Sequence, residues 1–125
     1  MGMPFDAAAM TDPLHDLSAR LQQFADERQW GPFHSPKNLA SALIVEAGEL
    51  LEHFQWLTEA QSRELGPEQK HAVAHEMADV LLYLVQLARS LNIDLMQAAR
   101  DKMVLNALKY PAPEAGKPAG SGTGA

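Results

Sequence analysis

Leu14, Leu17, Leu21 and Phe24 recur at intervals of three, four and three residues, the apolar stripe of an amphipathic helix. Asp12-Pro13 ahead of them reads as an N-cap followed by proline at the first helical position, and the helix is expected to end near Gln29. Trp30-Gly31-Pro32-Phe33-His34 interrupts it, because Gly and Pro together punctuate a helix. Ser35-Pro36 restarts the chain by the same device, and the apolar run from Leu39 is expected to end near Leu57 or Thr58. Glu59 to Gly66 is polar and reads as a turn. Pro67 opens a third helix, whose Val73, Met77, Val80, Leu81, Leu84, Val85 and Ala88 carry it to about Leu91. Asn92-Ile93-Asp94 is a short connection, and Asp94 caps a fourth helix from Leu95 to about Tyr110, stopped by Pro111.

No stretch alternates as a half-buried strand would. The expected fold is all-α, four main helices with short connections in an antiparallel bundle. Several helices are apolar over more than one face, too much for one such unit to hide, which predicts a homo-oligomer with a shared core. Residues 1–11 lack periodicity and are expected to be flexible, 12–110 form one domain, and 111–125 are rich in Pro, Ala, Gly, Ser and Thr and are expected to be disordered.

Composition narrows the function classes. The formal charge of −6 with no basic stripe argues against a nucleic-acid polymer as partner. There is no cysteine, so no disulfide scaffold. No apolar run reaches the ~18 residues that a membrane span needs, and the first ten residues do not read as a secretory signal. The expected location is the cytoplasm.

Acids placed inside apolar helices carry the candidate chemistry. Glu46 and Glu49 lie one helical turn apart, among Leu43, Ile44, Val45, Leu50 and Leu51, with no Lys or Arg within four residues. Glu76 and Asp79 repeat the spacing in the third helix. Residues three apart share a helix face, and an unpartnered carboxylate in an apolar setting is costly. Two such pairs on facing helices predict an oxygen-rich cage for a hard divalent cation such as Mg²⁺, with Glu46, Glu49, Glu76 and Asp79 as ligands. Each acid taken singly has the ordinary alternative of a solvated helix face; Glu52 is read that way, or as support for the cage.

Other positions carry two readings. Gly48 inside a helix reflects close packing or room for a ligand between the acids. Tyr83 shares the Asp79 stripe, as a core residue or a ligand contact. Lys102, Asn106, Lys109 and Tyr110 fall on one face of the last helix, wet surface or phosphate clamp. Trp30 and Trp56 stand at helix ends, where a ring packs in the core or offers a base a stacking platform. His75-Glu76-Met77-Ala78-Asp79 lacks the second His of a zincin. Glu68-Gln69-Lys70-His71 matches one Glu-x-x-His element of carboxylate-bridged iron bundles, but only once and in a polar turn.

Glu46-x-x-Glu49, twenty-six residues, then Glu76-x-x-Asp79 resembles the signature of the all-α nucleoside triphosphate pyrophosphohydrolases, the MazG-like superfamily. The chain is most similar to the dCTP pyrophosphatase branch in Phe24-Ala25-x-Glu27-Arg28-x-Trp30-x-x-Phe33-His34-x-Pro36-x-Asn38-Leu39, Gly48-Glu49-Leu50, Phe54-Gln55-Trp56, Asp79-Val80-Leu81-x-Tyr83-Leu84 and Lys102-Met103-x-x-Asn106-x-x-x-Tyr110-Pro111. The resemblance covers about Leu14 to Pro111. It implies Mg²⁺-dependent cleavage between the α- and β-phosphates of a nucleoside triphosphate, giving the monophosphate and pyrophosphate, with dCTP or a modified dCTP as substrate in a house-cleaning role. It further implies that Glu46, Glu49, Glu76 and Asp79 are catalytic metal ligands. Trp30, Gly31, Pro32, Phe33, His34, Trp56 and Tyr83 would line the nucleotide pocket, and Lys102, Asn106 and Lys109 would face the phosphates. A homodimer or homotetramer is implied as well. Two positions depart from the pattern: Val45 stands where the broader superfamily often has Glu, and Leu21 where vertebrate dCTP enzymes have His. The rival expectations are the same reaction on another or damaged nucleotide, a non-catalytic helical oligomer that binds nucleotide or metal, and a redox-metal bundle.

Overall fold

Side-chain caps start four of the five α-helices in the computed structural model, which describes residues 12–114. Asp12 Oδ1 accepts from the His15 N–H at 3.0 Å and opens α1 (Pro13–Glu27). Ser35 Oγ accepts from the Asn38 N–H at 3.2 Å and opens α2 (Pro36–Glu52). Thr58 and Gln61 bond reciprocally, at 3.1 and 2.9 Å, to open the short α3 (Glu59–Arg63). At the start of α4 (Pro67–Ser90), the Gly66 N–H donates to Gln69 Oε1 at 3.3 Å. Asp94 Oδ1 accepts from the Gln97 N–H at 3.0 Å to open α5 (Leu95–Lys109). Each bond satisfies a polar group that a helix start would leave orphaned. Proline stands at the first helical position of α1, α2 and α4.

Among the described residues every regular element is helical, as expected. Two boundaries differ from expectation. The second helix stops at Glu52 rather than near Leu57 or Thr58, and the stretch read as a turn after Thr58 contains α3. As N-cap of α3, Thr58 takes an extended backbone with ψ 166° and opens that helix. Between the two helices residues 53–57 close in turns such as Leu57 N–H to the Phe54 carbonyl at 2.9 Å. Of the segments expected to be loose, 1–11 and 115–125 lie outside the described residues, and 111–114 form no helix.

The chain forms two compact units, divided after Asn92. In the first, α4 packs most extensively against α2 and also against α1. Its core is Ala25 of α1, Leu39 of α2, and Val73, Val85 and Ala88 of α4; Leu39 is only 2% exposed. Large apolar side chains remain outside that core, including Ile44, Val45 and Leu51 on α2 and Met77 and Leu81 on α4. The second unit contains α5.

The end of α1 places Trp30. Gln29 adopts the left-handed conformation, φ 57°, so that its N–H reaches the Asp26 carbonyl at 3.1 Å while the Trp30 N–H reaches the Ala25 carbonyl at 3.0 Å. These paired bonds are a Schellman closure, usually built on glycine. They turn the chain sharply and fix Trp30 beside the buried turn of α1. A 3₁₀ turn, Gly31–Phe33, comes next, pinned to α2 by Asn38 Nδ2 donating to the Phe33 carbonyl at 3.1 Å.

Candidate functional site

Helix periodicity and the α2–α4 contact bring three acids to one point. Glu46 and Glu49 come from successive turns of α2 and Glu76 from α4, and one carboxylate oxygen from each lies within 4.8 Å of the others. Glu46 Oε2 and Glu76 Oε2 are shielded from solvent and have no hydrogen-bond partner. The ion pairs among the described residues, Asp16–Arg20 and Glu59–Arg63, lie elsewhere.

Crowding these groups changes their protonation. The Glu46 carboxyl is pushed up to about 7, first by its hydrogen bond to Glu49, then by burial, then by repulsion from Glu49, Asp79 and Glu76. Burial also raises Glu76, aided by repulsion from Glu49, by a hydrogen bond with it and by repulsion from Asp79, while His53 acts in the opposite direction. Orphaned oxygens and uncompensated negative charge form a donor set that suits a hard divalent cation bound through oxygen. Asp79 stands one turn beyond Glu76 and is outside the three-acid cluster, though close enough to repel its members.

Asp79 instead lines a cavity of about 150 Å³ that is mostly apolar. Leu21, Phe24 and Ala25 of α1 form one wall, and Leu82, Tyr83 and Gln86 of α4 another. Trp30 and His34, which flank the 3₁₀ turn, complete it. The aromatic wall is ordered: Phe24 and Trp30 meet edge to face at 5.6 Å, Trp30 and His34 are 5.8 Å apart, and the Arg28 guanidinium stacks 3.4 Å over Phe24.

Of the residues singled out from the sequence, Trp30, His34 and Tyr83 line this cavity with Asp79. Gly31, Pro32 and Phe33 form the turn between Trp30 and His34 and do not line it; Phe33 is 69% exposed. Trp56 also lies outside, 86% exposed. Gly48 shows no packing reason, since a Cβ there would meet nothing within 4 Å. Lys102, Asn106 and Lys109 belong to α5, in the second unit. Sequence reasoning missed Phe24, Leu82 and Gln86 as lining residues, and His53 beside Glu76. Leu82 and Gln86 follow Asp79 by three and seven residues, a helical spacing that could have found them.

A model of the MazG-like family matches residues 42–120. Human dCTP pyrophosphatase 1 is 44% identical over 101 residues, 79% of this chain and 59% of that protein. The mouse protein of the same name is 44% identical over 100 residues. The chain thus spans about 59% of the length of these relatives. A pyrophosphatase of solved structure from Archaeoglobus fulgidus superposes with a TM-score of 0.75 at 35% identity, over 89% of this chain and 98% of that one.

Proposed function

The chain belongs to the MazG-like family, and from that premise we propose that it is a nucleoside triphosphate pyrophosphohydrolase acting on dCTP or a modified dCTP. The products are the nucleoside monophosphate and pyrophosphate. The observation that carries this reading is the adjacency of two unlike sites: the Glu46, Glu49 and Glu76 cluster, and an aromatic cavity that Asp79 also lines. Phosphates need charge compensation and a base needs an apolar slot.

In this reading Glu46, Glu49 and Glu76, with Asp79 beside them, would hold Mg²⁺, which would offset the triphosphate charge and make the attacking water more acidic. The carboxylates keep the phosphate end oriented, and one of them takes the proton released by the attacking water. Trp30, His34 and Tyr83 hold the base, and their rings exclude water from one side of it. Lys102, Asn106 and Lys109 take the phosphate-facing role that the family resemblance implies.

The proposal extends to assembly as a homodimer or homotetramer, supported by Ile44 at 69%, Val45 at 58% and Trp56 at 86% exposure in the single chain. A soluble cytoplasmic location is proposed with it. No helix among the described residues is long and apolar enough to cross a membrane.

The test is pyrophosphate release from a panel of canonical and modified triphosphates with Mg²⁺. Turnover led by dCTP or a modified dCTP supports the assignment, and turnover led by another base replaces the specificity. Folded, metal-loaded protein that turns over nothing would make the chain a binding module instead.

A further inference from the structure

We propose that Gln86 selects the base, its side-chain carbonyl accepting a hydrogen bond from the exocyclic amino group of a cytosine-type ring. The inference rests on the nucleotide reading above and deepens it. Gln86 lies seven residues after Asp79 on α4, both lining the same cavity. Seven residues are almost two full turns, so the two side chains share a face about 10.5 Å apart along the axis. A nucleotide stretched between them puts its phosphates at the Asp79 end and the far edge of its base at the Gln86 end.

The amide is oriented by its own helix. Gln86 Nε2 donates to the Leu82 carbonyl at 3.2 Å. Turning the amide over would set oxygen against that carbonyl, so the nitrogen is committed and Oε1 is left as the free polar atom. Oε1 has no hydrogen-bond partner among the described residues. The other polar groups on the wall select less sharply: the His34 ring and the Tyr83 hydroxyl can each donate or accept, and the Trp30 indole only donates. A fixed acceptor rewards an amino group and opposes a carbonyl at the same place. Cytosine has the first and uracil and thymine the second.

Cavity size points the same way. A cavity of about 150 Å³ is the size that accepts one benzene ring, so a single pyrimidine ring fits it. Leu21, Phe24 and Leu82 give that ring apolar contacts and no competing hydrogen bond. Of the other polar groups on the α4 wall, Tyr83 can donate as well as accept and Asp79 stands at the phosphate end, which leaves Gln86 as the fixed acceptor at the base end.

The experiment compares kcat/KM for dCTP, dUTP and a 2-pyrimidinone deoxynucleoside triphosphate, which lacks the 4-amino group, in the parent, Gln86→Leu and Gln86→Met. The parent is expected to favour dCTP over each analogue by about tenfold or more, and both variants to lose that advantage by falling on dCTP alone. Circular-dichroism melts establish that the variants fold. An unchanged dCTP preference in both variants, or a parent that treats dUTP and dCTP alike, overturns the role of Gln86 while leaving the pyrophosphohydrolase reading intact. If the parent hydrolyses no triphosphate, that reading falls separately, and calorimetric binding of dCMP against dUMP decides for Gln86. A dCMP preference lost in Gln86→Leu upholds it, and equal binding by the parent overturns it.

Discussion

The carboxyl groups of Glu46 and Glu49 stand one helical turn apart on α2, and the interaction between them is the largest influence raising Glu46 to about 7. Crowded carboxyls favour the form in which one of them keeps its proton. The cluster without metal is therefore a proton site near neutrality, and a cation competes with that proton.

Stability should depend on pH as a result. Glu46 has a folded pKa of about 7 against a reference of 4.5, so between those values the folded chain holds more proton than the unfolded one. The associated stability is fully present below pH 4.5 and is lost as pH rises through about 7. Thermal melts in EDTA should show parent stability falling from about pH 5 to about pH 8 relative to Glu46→Gln, and saturating Mg²⁺ should flatten that difference. Parallel pH profiles for the two proteins in EDTA would remove Glu46 as the source.

Gln29 closes α1 with φ 57°, a conformation costing a non-glycine residue about 1–2 kcal/mol. Gln29→Gly relieves most of that and keeps the Schellman bonds, less the entropy glycine loses on folding. Urea denaturation should show a gain of about 1 kcal/mol. A loss would mean that the Gln29 side chain itself supports the turn.

Leu39 is the most deeply buried large side chain of the first unit. Leu39→Ala should destabilise the protein by about 2–5 kcal/mol, the range for cavities opened in a core. A change below about 1 kcal/mol would show that the α2–α4 seam collapses to fill the space.

Trp30 is tied to Ala25 through its own N–H and ordered by Phe24 and His34. If it stacks on the base, Trp30→Leu keeps the apolar wall and loses the platform. KM for the preferred triphosphate should rise about tenfold, the lower half of the stacking range, with kcat little changed. An equal fall in kcat and kcat/KM would instead place Trp30 in the chemical step.

Much of this was legible in the sequence because the signals are local. Asp12-Pro13, Ser35-Pro36 and Asp94 mark helix starts by capping chemistry, and the structure shows each cap bonded as that chemistry requires. The Glu46/Glu49 spacing meant a shared face wherever the helix formed. The short α3 was missed because its box, Thr58 with Gln61, precedes polar residues rather than an apolar run. The separation of Asp79 from the three-acid cluster was not legible either, since it depends on how α4 meets α2. The same holds for His53, which reaches Glu76 only across that contact. Gln86 fell on the right stripe but looked like an ordinary polar residue until the cavity showed what it faces.

The most direct test of the central claim is Mg²⁺-dependent pyrophosphate release by the parent beside Glu49→Gln and Asp79→Asn, with melts to confirm folding. Replacing a group that only supports a metal ligand costs about 10–100-fold, so losing a ligand should cost at least about 100-fold, with both variants folded and nucleotide still bound. Full activity in either folded variant would contradict the assignment of that carboxylate to the metal site, and full activity in both would contradict the site itself.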